Sequence, residues 1–338
     1  MSPKTHLAAV LLVLLSTATD SLAQVTKVAP APPAVTGQVL RPASPPAPAP
    51  PPAPTPPPAP APAPAPPPAP RAATPPPPPA GPGIAGYEVV QGAEMNIAPL
   101  ATVTATAQCP VGKTALSANY SSTAAGDATF GLEVRGAMPE GRVASVLMRN
   151  ANVAVAGKVR AIAVCVKDIP GLRVVDSWTE SLVDQGNPST VFCQSPEHVV
   201  GGGIMAGNDT HIIADAPQSY GVPGAWYTKV LRSSPLAGQD KIRIRALCAS
   251  GPAVDGWELI KTSVTLSGRF QSLMLLTCPA NKVLLAGGVN QTYGPLLDLV
   301  FNSFAPQGVA SWSAHVQNRN AAGSTINVDA SAICVRHQ

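Results

Sequence analysis

The stretch ATVTATAQCPVGK, residues 101–113, governs the reading of the whole chain. Its first half alternates strictly, with Val103, Ala105, Ala107 and Cys109 on one side of an extended strand and Thr102, Thr104, Thr106 and Gln108 on the other. Its second half stops that strand, because proline cannot donate to a sheet ladder. The turn returns as CPANK at 278–282 and, more loosely, as CQSPE at 193–197. A turn that repeatedly follows an inward-facing cysteine predicts a recurring β unit held by disulfides.

The six cysteines support that reading. Cys109 and Cys165 are 56 residues apart, Cys193 and Cys248 are 55, and Cys278 and Cys334 are 56, while the first member of each pair recurs after 84 and then 85 residues. Val143, Trp226 and Trp312 each fall 22 residues before the second cysteine of their pair. The closing strands alternate as the opening one does. KIRIRALC sets Ile242, Ile244, Ala246 and Cys248 against Lys241, Arg243 and Arg245, and INVDASAIC sets Ile326, Val328, Ala330, Ala332 and Cys334 against Asn327, Asp329 and Ser331. Both cysteines of a pair thus face inward. Six cysteines allow 15 connectivities, which the repeat narrows to two. The expected one is within copies, Cys109–Cys165, Cys193–Cys248 and Cys278–Cys334, because each copy then carries its own staple. The other runs between copies, as Cys165–Cys193, Cys248–Cys278 and Cys109–Cys334.

Pro170-Gly171 and Gly251-Pro252 punctuate the joins, and GYEVV, DSWTE and DGWEL read as matching first strands entered by Tyr87, Trp178 and Trp257. The copies therefore span 84–168, 169–251 and 252–338. Nothing past Gly83 shows a helical period, and Gly, Pro, Asn and Asp break the chain every 8 to 12 residues. The expected fold class is all-β: three tandem repeats of about 85 residues, closed as a β-prism around a pseudo-three-fold axis or strung as small sandwiches. Closure is favoured because it hides sheet edges.

Copy three carries Cys278, Pro279, Lys282, Gly287, Gly288, Trp312 and Cys334 in order. That pattern resembles the cysteine-bracketed β-repeats of some exported bacterial proteins, and it extends over the whole head. Copy one departs from it at Ser117-Ala118 and Val143, and copy two lacks the proline after Cys193. The resemblance implies export and a β-rich head, with no activity attached.

The chain's beginning agrees. Lys4, the apolar run LAAVLLVLL (7–15) and the small residues SLA (21–23) read as a signal peptide over 1–23. Residues 24–83 form a Pro/Ala-rich linker that cannot build a core, with 27 of the 41 prolines between Pro30 and Pro82. Such a linker is an extended, semi-rigid stalk. Beyond it, 18 Lys and Arg face 17 Asp and Glu, once the four bases and one acid before Gly83 are taken from the totals of 22 and 18. A near-neutral head lacks the basic footprint of a nucleic-acid binder. No later apolar run is long enough to cross a bilayer, so the mature protein is expected to be exported without membrane insertion.

Chemistry is sparse. GGGIMAG (201–207) lacks the helix that a dinucleotide site needs, so its glycines read as close strand contacts. His198, His211 and His315 sit at different offsets, and no metal, cofactor, nucleophile elbow or paired-carboxylate pattern emerges. Glu133, Asp215 and Asp298 recur loosely in the middle strands, near Tyr220, Trp226, Tyr227, Phe304 and Trp312. Carboxylates beside aromatic faces suit sugar hydroxyls and sugar rings. The same residues equally suit turn caps and core filling. The function expected is a non-enzymatic binding module, lectin-like or adhesin-like, whose partner is a glycan or cell-surface component. The alternatives are a structural envelope protein without a small ligand and, less favoured, a hydrolase.

Overall fold

The computed structural model describes residues 83–125, 131–180, 187–207, 210–219, 224–232, 241–295, 299–320 and 324–338. Strands dominate, and no α-helix occurs among the described residues. The first segment of the head comprises β1 (Glu88–Ile97), β2 (Thr102–Gln108), β3 (Lys113–Ala124), β4 (Leu132–Glu140), β5 (Val143–Asn150) and β6 (Gly157–Lys167). The middle segment comprises β7 (Arg173–Glu180), β8 (Asn187–Phe192), β9 (His198–Met205), β10 (Thr210–Ser219), β11 (Gly224–Arg232) and β12 (Lys241–Ala249). The last comprises β13 (Glu258–Ser267), β14 (Gln271–Thr277), β15 (Lys282–Tyr293), β16 (Leu299–Gln307), β17 (Ser311–Asn318) and β18 (Thr325–Arg336).

One pairing scheme runs through all three segments. The first, sixth and third strands form one antiparallel layer: β1–β6–β3, β7–β12–β9 and β13–β18–β15. The fourth, fifth and second form another: β4–β5–β2, β10–β11–β8 and β16–β17–β14. Alternation decides which side faces in. Ile242, Ile244, Ala246 and Cys248 of β12 are fully buried, as are Ile326, Val328, Ala330, Ala332 and Cys334 of β18. The cystines Cys109–Cys165, Cys193–Cys248 and Cys278–Cys334 span Cα separations of 5.7, 5.6 and 5.6 Å. Each joins the end of the second strand to the sixth, and so ties one layer to the other.

The segments share strands. Each fourth strand bulges at the same place, between Val134 and Gly136, Ile212 and Ala214, and Phe301 and Ser303. A bulge bends its strand. From there on the strand, still paired with its own fifth strand, also pairs along its other edge with another segment's third strand: Ala137 with Ile204, Asp215 with Val289, and Phe304 with Tyr120. The hydrogen-bonded strands resolve into two sheets, one of 12 strands and one of six.

The recurring turn has a backbone reason. Gly112 and Asn281 both adopt positive φ, 76° and 65°, which glycine and asparagine tolerate best. The residue at the end of each turn then ties down the first strand. Lys113 donates to Glu88 and Lys282 to Glu258 at 2.6 Å, whereas the middle segment reverses the charges, Arg173 Nε donating to Glu197 Oε1 at 2.8 Å. The three ion pairs stand in corresponding places, since Glu88, Arg173 and Glu258 lie opposite Cys165, Cys248 and Cys334. That register corrects one expectation: Leu172, not Trp178, matches Tyr87 and Trp257.

A second register correction explains where glycine is needed. Pro217 pairs with Trp226 and Pro306 with Trp312, but Pro139 pairs with Ala144, so Ala144 rather than Val143 occupies the tryptophan's place. The indoles lie on Gly202 and Gly287, where an added Cβ would fall 2.4 Å and 2.5 Å from ring atoms. Ala118 pairs opposite Ala163 as Gly202 does opposite Ala246 and Gly287 opposite Ala332. Where the indole is absent, a methyl group stands in the glycine's position. Gly287→Ala should therefore destabilise by about 1–3 kcal/mol through overpacking, and Trp312→Ala by about 3–5 kcal/mol. The double variant, which recreates the Ala118 and Ala144 pair, should lose at least about 1 kcal/mol less than the sum. A urea-denaturation double-mutant cycle measures the difference; strict additivity would contradict the packing account.

Candidate functional site

The residues singled out in the sequence do not converge on one surface. Trp226 is 2% exposed and Trp312 is 0% exposed. Phe304 is also buried, with ring centroids 5.2 Å from Tyr120, 5.2 Å from Phe301 and 5.4 Å from Trp312. Trp312 Nε1 donates to Asn119 Oδ1 at 3.2 Å across the segment boundary. These aromatics fill the interior, so stacking on a ligand ring is closed to them. Tyr227 follows Trp226 on the opposite face of β11 and is half-buried. Tyr220 and Asp298 lie outside the described residues.

The two described carboxylates occupy different environments. Glu133, the second residue of β4, is held by arginines: Arg135 donates to it, and Arg319 Nη1 donates to its Oε1 at 2.6 Å. Burial raises its pKa, but the charges of Arg135 and Arg319 outweigh that and hold it below the usual carboxylate range. Asp215 accepts from Trp226 Nε1 at 2.6 Å, and among the described residues no cation lies against it. Burial pushes its pKa up to about 7, although the indole hydrogen bond opposes the rise. Register separates the pair further, because Asp215 stands where β4 has Ala137 and β16 has Phe304. They are not one repeated site.

An outward-facing array emerges instead on β7 and β12. Strand β7 alternates Val174, Asp176, Trp178 and Glu180 outward, opposite Leu247, Arg245, Arg243 and Lys241. Of the chain's four tryptophans, Trp178 is the exposed one, at 61%. The Arg243 guanidinium lies 5.8 Å from its ring centroid, in cation–π range. Arg243 also donates to Asp176 Oδ2 at 2.8 Å and to Glu140 Oε1 at 3.1 Å. Arg245 grips Asp176 with two bonds, Nε to Oδ1 at 2.7 Å and Nη2 to Oδ2 at 2.8 Å. Those bonds, and those from Arg243 after them, hold the Asp176 carboxyl down at about 2 despite partial burial. An open cleft of about 370 Å³ beside the indole is lined by Trp178, Thr179, Glu180 and Lys241. The array belongs to the middle segment alone: Glu94 opposite Arg160, and Ser263 opposite Asp329, hold the places of Trp178 and Arg243.

Taking Trp178 as a strand-entry aromatic concealed this array in the sequence, although its parity with Asp176 and Glu180 marks the outward face. Among the described residues no group of three His, Cys, Asp or Glu side chains could hold a metal ion, and no helix is long and apolar enough to cross a membrane. No protein-family model matches the chain, and no curated protein matches it in sequence.

Asp215 makes stability depend on pH. Its folded pKa of about 7 exceeds the unfolded 3.8, so the folded state holds the proton more tightly. The native state is therefore favoured most when Asp215 is protonated, and loses stability as pH rises from about 4 to about 7. Asp215→Asn keeps the acceptor for Trp226 but cannot ionise. Its Tm should exceed the wild type's by several degrees near pH 8, with the gap closing toward about pH 4. Thermal melts across that range check this; parallel curves would refute it.

Proposed function

We propose that the chain is an exported, non-enzymatic binding module whose head is three copies of one β unit closed around a pseudo-three-fold axis, carried on a Pro-rich stalk. The shared pairing scheme and the pairing of each fourth strand with another segment's third strand support the closed arrangement over separate sandwiches. Three buried cystines accord with an oxidising compartment.

The observation that carries the binding reading is the exposed indole of Trp178 set among fixed charges. An aromatic face takes the C–H side of a sugar ring, while Arg243, Glu140, Glu180 and Lys241 offer polar groups to its hydroxyls. The partner class is therefore a glycan. With one such array in the head, the expected stoichiometry is one ligand per chain.

A second reading, a structural envelope protein that works by packing against other protein, rests on β14. That edge strand exposes Leu273 at 60% and Leu275 at 56%, where the corresponding positions are Thr104 and Thr106 of β2, and Pro188 and Thr190 of β8. Charge or proline normally blunts such an edge.

A glycan array probed with purified wild type and with Trp178→Ala separates the readings. Specific signal from the wild type, weakened about tenfold by losing a stacking platform worth roughly 1–2 kcal/mol, is the expected result. Equal signal from both proteins would move the site elsewhere. Silence from both, with the protein retained in the envelope fraction, would favour the structural reading.

A further inference from the structure

Glu133 lies where the three segments meet. Arg135 comes from the same strand, Arg149 lies opposite Glu133 on β5, His211 comes from β10, and Arg319 follows the end of β17. Two arginines thus hold the carboxylate, and Arg149 adds a third positive charge that acts on Arg135 and His211 among the described residues. His211 adds no further positive charge, since burial, and then Arg135, keep its imidazole neutral by lowering its pKa to about 4.

The hydrogen-bonding tally is incomplete in a telling way. Arg135, fully buried, donates to Thr210 O and to Glu133, but its Nε has no acceptor among the described residues. Arg319 spends Nη1 on Glu133 and leaves Nε and Nη2 buried without an acceptor among the described residues. A buried charged donor left unpaired is costly. Nε and Nη2 form one edge of the guanidinium, the fork with which arginine takes up anions. Glu133, His211, Phe301 and Arg319 line a void of about 10 Å³. It admits about one water-sized group. Water would satisfy donors there, but it would not offset the excess positive charge.

We propose that the free edge of Arg319, backed by Arg135, is a site for a small monovalent anion: a halide, or a carboxylate that inserts a single oxygen. The size of the void disfavours tetrahedral dianions such as sulfate. The site is separate from the Trp178 array and does not depend on the glycan reading.

The test follows the mature chain by thermal melting at constant ionic strength in chloride, formate, sulfate and the bulky anion gluconate, together with chloride-NMR linewidths. In the wild type, chloride and formate should raise Tm by several degrees over gluconate, and the chloride line should broaden. Arg319→Lys keeps a charge beside Glu133 but lacks the two-donor edge; it should fold and lose both effects, and Arg319→Gln should do the same. The two responding anions separate the sources: a formate response without a chloride response would assign the edge to carboxylate-bearing ligands. A wild type indifferent to all four anions, or a Lys variant that responds like wild type, would overturn the proposal.

Discussion

Everything else in the head depends on the cystine that ties the two three-stranded layers of each segment together. The interior is built largely from alanine, valine and isoleucine, and the head has only 14 aromatic residues. Small side chains let strands approach closely but bury little area per residue. A cystine closing a loop of nearly 60 residues contributes about 4 kcal/mol on the chain-entropy model. Cys109, Cys193 and Cys278 also sit at the turn that stops the second strand, so one residue ends a strand, faces the core and joins the layers.

With each segment's layers tied, the fourth strands are free to serve a neighbour. The bulges before Gly136, Ala214 and Ser303 turn each strand onto another segment's third strand. Close approach is the condition of that contact. A Cβ at Gly203 would lie 2.1 Å from the carbonyl of Ala137, and one at Gly288 would lie 2.0 Å from that of Asp215. The run of glycines in the middle segment therefore serves packing. Asp215, Glu133 and Arg135 sit on the fourth strands that make this contact.

The two-residue alternation, the cysteine spacing and the strand-ending turn are local properties, so strand content and within-segment cystines could be read from the chain. Partner choice was not local. Nothing in FGLEVRGAMP announces that Ala137 will lie against Ile204. The tryptophan landmark failed by one residue because Val143 and Ala144 differ only in which faces Pro139 across the ladder. The candidate site suffered most. Aromatic and acidic residues were selected by type, but burial divides them: Trp226, Trp312 and Phe304 went inside, while Trp178 stayed out. Parity along β7 was the available signal, and it was obscured by aligning Trp178 with Tyr87 and Trp257.

The central claim is that each segment is stapled to itself and then shares strands with its neighbours. Proteolysis without reduction, followed by mass spectrometry of the linked peptides, tests it most directly. The account predicts Cys109 joined to Cys165, Cys193 to Cys248 and Cys278 to Cys334. A peptide joining Cys165 to Cys193, or Cys109 to Cys334, would contradict it, as would free thiols throughout.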